Sequence, residues 1–180
     1  MSLLLLFDRV LSNICSVYSK AVFRRKIHCK HSNFKMLGNV IVNNTNVHIG
    51  KNVILYPNIM FMGRGNIFIG DNTKIGNNTI ICADKAGGVH IGSNCAIAAN
   101  CYIIDADHGT KKGIKVSEQE MVVGKVVIGD NVWIGTHVTV LKGSKINDGA
   151  VIGAMSLVNS EISADTINLG IPAKFVKNKL

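Results

Sequence analysis

The stretch Val127-Ile128-Gly129-Asp130-Asn131-Val132-Trp133-Ile134-Gly135 holds two Ile-Gly pairs six residues apart, and that interval decides the fold. Ile-Gly occurs seven times in the chain, at 49–50, 69–70, 75–76, 91–92, 128–129, 134–135 and 152–153, and five of the pairs are followed by any residue and then Asn. The intervening aliphatics complete a six-residue beat: Ile49, Leu55, Phe61; Ile69, Ile75, Ile81; Ile91, Ile97, Ile103; Ile128, Ile134, Val140, Ile146, Ile152, Val158. A helical period of about 3.6 cannot produce it. Small or β-branched residues follow four places later, among them Val53, Thr73, Cys95, Val132 and Ala150. Two positions per hexad are therefore expected to point inward. Gly-x-Asn between them supplies residues that tolerate positive φ where the chain must turn.

The interruptions give the number of strands per circuit, because insertions are tolerated at solvent-facing corners. Phe61 to Ile69 spans eight residues, Ile81 to Ile91 ten and Ile103 to Ile128 twenty-five. Each follows a third hexad. This is the signature of a triangular coil of three strands per turn, with every insertion leaving from one edge. Four to six turns, stacked by parallel pairing at about 4.8 Å, would bury a continuous column of Ile and Val.

Composition bounds the alternatives. Hydrophobic residues make up 47% of the 180 and charged residues 17%, which excludes intrinsic disorder. No apolar run approaches the roughly 18 residues needed to cross a bilayer. The net charge of +9 is uneven. Arg9, Lys20, Arg24, Arg25, Lys26, Lys30 and Lys35 stand against Asp8 alone in residues 1–36. An arm, rather than a whole face, carries the excess, so acidic membrane surfaces or anionic substrates are as suitable partners as nucleic acid. Cys15, Cys29, Cys82, Cys95 and Cys101 are odd in number and contain no C-x-x-C pair, which fits a reducing compartment. Ser2 to Phe7 lacks the basic start of a signal peptide, and Asp8 ends its apolar run. The chain reads as cytoplasmic.

In Ile104-Asp105-Ala106-Asp107-His108-Gly109, in Val127 to Gly135 and in Gly170-Ile171-Pro172-Ala173-Lys174, the chain resembles the hexapeptide-repeat acyltransferases over Ile49 to Lys177. The branch it resembles most contains the sugar and surface-polysaccharide O-acetyltransferases, with maltose and galactoside acetyltransferases as relatives. The resemblance implies an all-β, left-handed parallel β-helix acting as a homotrimer, and acetyl transfer from acetyl-CoA to a saccharide hydroxyl in surface-polysaccharide biosynthesis. Two departures from the pattern stand at Ile146-Asn147 and Ala154-Met155-Ser156, where Ile-Gly and Ala-Gly-Ser are usual.

His108 opens the longest insertion, read as residues 109–127, where a neutral imidazole can take a proton from a sugar hydroxyl. Asp105 and Asp107 flank it; because strand neighbours face opposite ways, at most one can orient the ring. By the resemblance, Trp133 walls the cleft beside the thioester or packs at a subunit boundary, and a backbone amide near Gly135 or Thr136 stabilises the oxyanion. Ala154 and Asn159 match positions lining the pantetheine groove. Lys174 and Lys177 match tail positions that meet the coenzyme's phosphates. No metal is expected: carbonic anhydrases of this fold gather three histidines around zinc, whereas His90, His108 and His137 are far apart in sequence.

The chain thus divides into a basic arm at 1–36, a β-helix at 37–169 and a basic tail at 170–180. Phe7, Val10, Leu11, Ile14, Val17, Tyr18, Ala21 and Val22 recur at helical spacing in the arm. That stripe can pack on the β-helix or a neighbouring subunit, or lie on the inner membrane surface with Arg24, Arg25 and Lys26 near anionic lipid. The alternative functions are serine or amino-sugar N-acetyl transfer and a catalytically silent scaffold.

Overall fold

The computed structural model describes residues 21, 23–25, 27, 33–44 and 46–180. Its strands form a parallel β-solenoid of about seven turns with three faces. Face one stacks Lys35–Met36, Ile54–Leu55, Lys74–Ile75, Ala96–Ile97, Trp133–Ile134, Val151–Ile152 and Thr166–Leu169. Face two stacks Val40–Val42, Ile59–Gly63, Ile80–Ala83, Tyr102–Ile104, Thr139–Val140 and Leu157–Val158. Face three stacks Val47–Ile49, Ile67–Ile69, Val89–Ile91, Val126–Ile128, Lys145–Ile146 and Glu161–Ile162. The chain visits the faces in that order on each turn, so the solenoid has three edges, named here by the faces they join: one–two, two–three and three–one.

The six-residue beat is the core. Every aliphatic of the series Ile49 to Val158 is buried, and so are the second inward positions, Thr73, Thr79, Ser144 and Ser156 among them. The buried hydroxyls are satisfied by carbonyls or amides of adjoining turns: Thr73 donates to Gly92 O at 2.8 Å and Ser144 to Val158 O at 3.0 Å. A polar atom can therefore sit in this column without an orphaned partner.

The corners divide their labour differently from the expectation drawn from Gly-x-Asn. The asparagine takes the left-handed conformation, at Asn52, Asn58, Asn72, Asn78, Asn94, Asn100 and Asn131, while the glycine of Ile-Gly does not. That glycine answers to crowding: a Cβ at Gly76 would lie 2.5 Å from the Ala98 carbonyl carbon, and one at Gly70 2.5 Å from that of Gly92. The asparagines also bond turn to turn, Asn52 to Asn72 at 3.1 Å and Asn78 to Asn100 at 3.0 Å.

All three insertions leave from edge two–three, as the spacing requires. The longest spans 105–125 rather than 109–127, because the solenoid resumes at Val126. Its root is a short antiparallel ladder that pairs Asp107 with Val122 and Ala106 with Val123. The solenoid also begins earlier than the recognised repeat: Lys35–Met36 already pairs with Ile54–Leu55. Phe23 and Ile27 are buried at this end, with the Phe23 ring 5.5 Å from Phe34 and 6.4 Å from Phe61. The rest of the expected amphipathic helix, Phe7 to Tyr18 and Val22, lies outside the described residues. At the other end Lys174–Asn178 turns back and pairs antiparallel with Thr166–Leu169.

Candidate functional site

His108 is exposed at the root of the 105–125 excursion, on edge two–three of the fourth turn. The excursion is held by Gln119, whose Oε1 accepts from the Lys111 amide at 2.7 Å and whose Nε2 donates to Ile114 O at 2.8 Å. A cavity of about 390 Å³ lies within it, bordered by Gly109, Lys111, Ile114, Gln119 and Val122. Neither the staple nor the cavity carried a signal in the sequence, since a lone Gln in a polar loop has no distinguishing pattern.

The two flanking carboxylates have separate partners. Asp105 is fully buried, and its oxygens accept from the amides of Asp84 at 2.8 Å and Gly88 at 2.5 Å. Burial pushes its carboxyl above the usual carboxylate range, against the opposing pull of those two donors. The Asp105 carboxylate thus fastens the shorter insertion at 84–88 beneath the long one. Asp107 is half-buried, and its Oδ2 lies 3.4 Å from Lys142 Nζ on the next turn. Lys142 went unnoticed in the sequence because it is 35 positions away and lies outside every motif.

Trp133 projects from face one with 57% of its surface exposed. It follows Ala96 and precedes Val151 and Ile167 in one outward column, which ends at Lys177. The small Ala96 leaves a depression of about 300 Å³ between Trp133, Tyr56 and Lys74. Three strand steps of about 4.8 Å separate Trp133 from Lys177, roughly 14 Å. Lys174 pairs with Leu169 on the same closing strand.

Edge one–two borders this face and holds Gly135, Thr136 and Ala154. The Gly135 amide already donates to Ile152 O at 2.8 Å in the ladder between turns. The amides of Thr136 and Ala154, one turn apart, have no hydrogen-bond partner among the described residues. The Thr136 hydroxyl donates to Ala99 O at 2.8 Å. Met155 occupies this corner with φ +60° and 70% of its surface exposed, a conformation that accounts for the glycine usual there. Asn159 stands apart from this group, on edge two–three of the sixth turn.

The structure therefore sorts the expected site into two groups. Trp133, Gly135, Thr136, Ala154, Lys174 and Lys177 share face one and its border with face two. His108, Asp105, Asp107 and Asn159 lie on edge two–three, across the prism from face one. One chain does not bring the two groups together. His90 on face three and His137 on edge one–two are separate again, and no cluster of three or more metal-ligating side chains occurs among the described residues.

Two stretches match known repeats: residues 125–160 the bacterial transferase hexapeptide (six repeats), and residues 66–104 the hexapeptide repeat of succinyl-transferase. A putative lipopolysaccharide biosynthesis O-acetyl transferase, WbbJ of Escherichia coli K12, is 37% identical over 64% of this chain and 62% of its own length. The galactoside O-acetyltransferase of the same organism is 33% identical over 72% of this chain and 62% of its own. The chain thus spans about three fifths of the length of these two relatives. Among solved structures, AntD, an N-acyltransferase from Bacillus cereus in complex with dTDP and 3-hydroxybutyryl-CoA, superposes with a TM-score of 0.76 at 20% identity, over 89% of this chain and 88% of its own. By its repeats and its three-faced solenoid the chain is a hexapeptide-repeat protein, and over about three fifths of their length it is similar in sequence to acetyltransferases built on such repeats.

Proposed function

We propose that the chain is an acetyl-CoA-dependent O-acetyltransferase acting on a saccharide hydroxyl, with its site in a groove between two copies. The observation that carries this reading is the position of His108, at the root of an excursion on the edge opposite the face that bears Trp133. A groove that uses both must join edge two–three of one copy to face one of another. Such a head-to-side contact is heterologous, and it closes into a ring of three when each copy is rotated by a third of a circle from the last. Three three-faced prisms make the trimer that the resemblance implies.

In that groove the Trp133 column and the free amides of edge one–two hold the thioester arm, and Lys174 or Lys177 meets its phosphates. His108 takes the hydroxyl proton as the sugar oxygen attacks the thioester carbonyl carbon. The Thr136 amide donates to the oxyanion that forms. Collapse breaks the carbon–sulfur bond, and the His108 imidazolium returns its proton to the leaving thiolate. No covalent enzyme intermediate is needed. The surface-polysaccharide role and a cytoplasmic site of action belong to the same reading, with residues 1–36 against a neighbouring subunit or the inner membrane.

Thiol release from acetyl-CoA across a panel of sugars and oligosaccharides tests it. The expected result is transfer by the wild type and a fall of about 10² to 10⁴ in His108→Ala, the usual contribution of a general base, with an unchanged circular dichroism spectrum. Near-normal turnover by His108→Ala overturns the mechanism. The fold shared with AntD motivates a second reading, N-acylation of an amino-sugar nucleotide, and amino sugars in the panel separate the two.

A further inference from the structure

The three edges differ in charge. Edge three–one carries Asp71, Asp130, Asp148 and Asp165 against Lys51. Three of those carboxylates accept backbone amides of neighbouring turns, as Asp130 does from Ser93 at 2.6 Å. Edge one–two, from Leu37 to Ser156, has no Lys, Arg, Asp or Glu. Edge two–three gathers seven cations: Arg64, Lys85, Lys111, Lys112, Lys115, Lys125 and Lys142. Lys115 is paired with Glu118 at 3.0 Å and Lys142 with Asp107. The other five have no ion pair among the described residues. Of the remaining carboxylates on this edge, Asp105 is buried on amides, Asp84 accepts from the Ala86 amide at 3.1 Å, and Glu120 is exposed in the excursion. Of the three edges, the one that carries His108 thus holds the largest group of unpaired cations, five against the single exposed Glu120 and the amide-bonded Asp84.

Two further features give this edge the form of a track. Arg64, Lys85, the root of His108 and Lys142 stand on consecutive turns, a run of about 14 Å at the strand spacing. Beside its lower half, on face three, Phe68 is 39% exposed, with the His48 ring stacked on it at 4.4 Å and the His90 ring tilted at 6.0 Å. A partly exposed aromatic side chain on the face beside a cationic edge fits a sugar ring that carries negative charge.

We propose that the acceptor is an anionic oligosaccharide laid along edge two–three, its acidic groups met by Arg64, Lys85 and Lys125 and one ring packed on Phe68. The proposal rests on the acyl-transfer reading and names its acceptor class. Each exposed contact is individually weak, but a patch of one sign raises the local concentration of an oppositely charged ligand, and salt removes the effect.

The experiment uses the full-length protein and two probes that differ only in charge, oligogalacturonates and their methyl esters. Binding is measured by titration calorimetry at low salt and in high salt. The acid form should bind about tenfold or more tightly than the ester, within the range such fields produce. That gap should close in high salt and in the triple variant Arg64→Gln, Lys85→Gln, Lys125→Gln. All three side chains are exposed, so the fold should be unaffected. Phe68→Ala should weaken both probes. Equal or absent binding of the two probes overturns the proposal, and so does a gap that survives in the triple variant, which would assign it to the basic arm at 1–36. Thiol release separates this result from the parent reading. Charge-dependent binding without transfer to any acceptor sinks the acyl-transfer reading and leaves the track, whereas transfer to neutral sugars that ignores the three substitutions sinks the track alone.

Discussion

Lys142 Nζ stands 3.4 Å from Asp107 Oδ2, so an ion pair ties the residue before His108 to the turn above it. Both side chains are partly exposed, which limits the pair to about 1 kcal/mol of stability or less. Its consequence lies in position, because Asp107 is also the paired residue at the root of the excursion. Lys142→Met should leave the melting temperature within a few degrees and lower kcat, with the KM for acetyl-CoA unchanged. A variant with wild-type kcat would show that the pair positions nothing.

Asp105 serves the loop below. Removing its carboxylate in Asp105→Ala leaves the buried Gly88 amide without an acceptor, a loss of about 1–3 kcal/mol. Urea unfolding should register this as a lower midpoint with an unchanged slope. If Asp105→Ala were as stable as the wild type and lost only turnover, the residue would belong to the catalytic step instead.

At Met155 a side chain occupies a left-handed corner, a conformation that costs a non-glycine residue roughly 1–3 kcal/mol. Met155→Gly should raise the unfolding midpoint in urea and lower the KM for acetyl-CoA, because the exposed side chain stands on the corner next to the Ala154 amide. An unchanged KM would place the thioester arm elsewhere.

Burial, before any neighbouring charge, raises the thiols of Cys82, Cys95 and Cys101. Alkylation followed by peptide mapping at neutral pH should find all three slow in the native protein and fast after unfolding. Rapid native modification of Cys95 or Cys101 would contradict their place in the column.

The coil was legible because each hexad reports its inward positions directly: Ile134 and Val138 are buried for the reason that their spacing gives. The interruptions at Phe61, Ile81 and Ile103 likewise located the edge from which the loops leave. What escaped was contact across turns. Asp105 reads as a neighbour of His108 in sequence, yet its oxygens face Asp84 and Gly88, about twenty residues earlier. The glycine of Ile-Gly looks like a residue chosen for positive φ, and only the backbone of the next turn reveals that it makes room. The separation of His108 from Trp133 was equally hidden, since it depends on which face each strand occupies.

That separation yields the most direct test. Two inactive variants, His108→Ala and a face-one variant combining Trp133→Ala with Lys177→Glu, are co-expressed with different affinity tags, and the mixed oligomers are isolated through both. If edge two–three of one copy meets face one of another, some grooves in the mixture carry both intact halves. Thiol release should then rise well above that of either variant alone. Mixed oligomers no more active than their parents would contradict a site shared between copies.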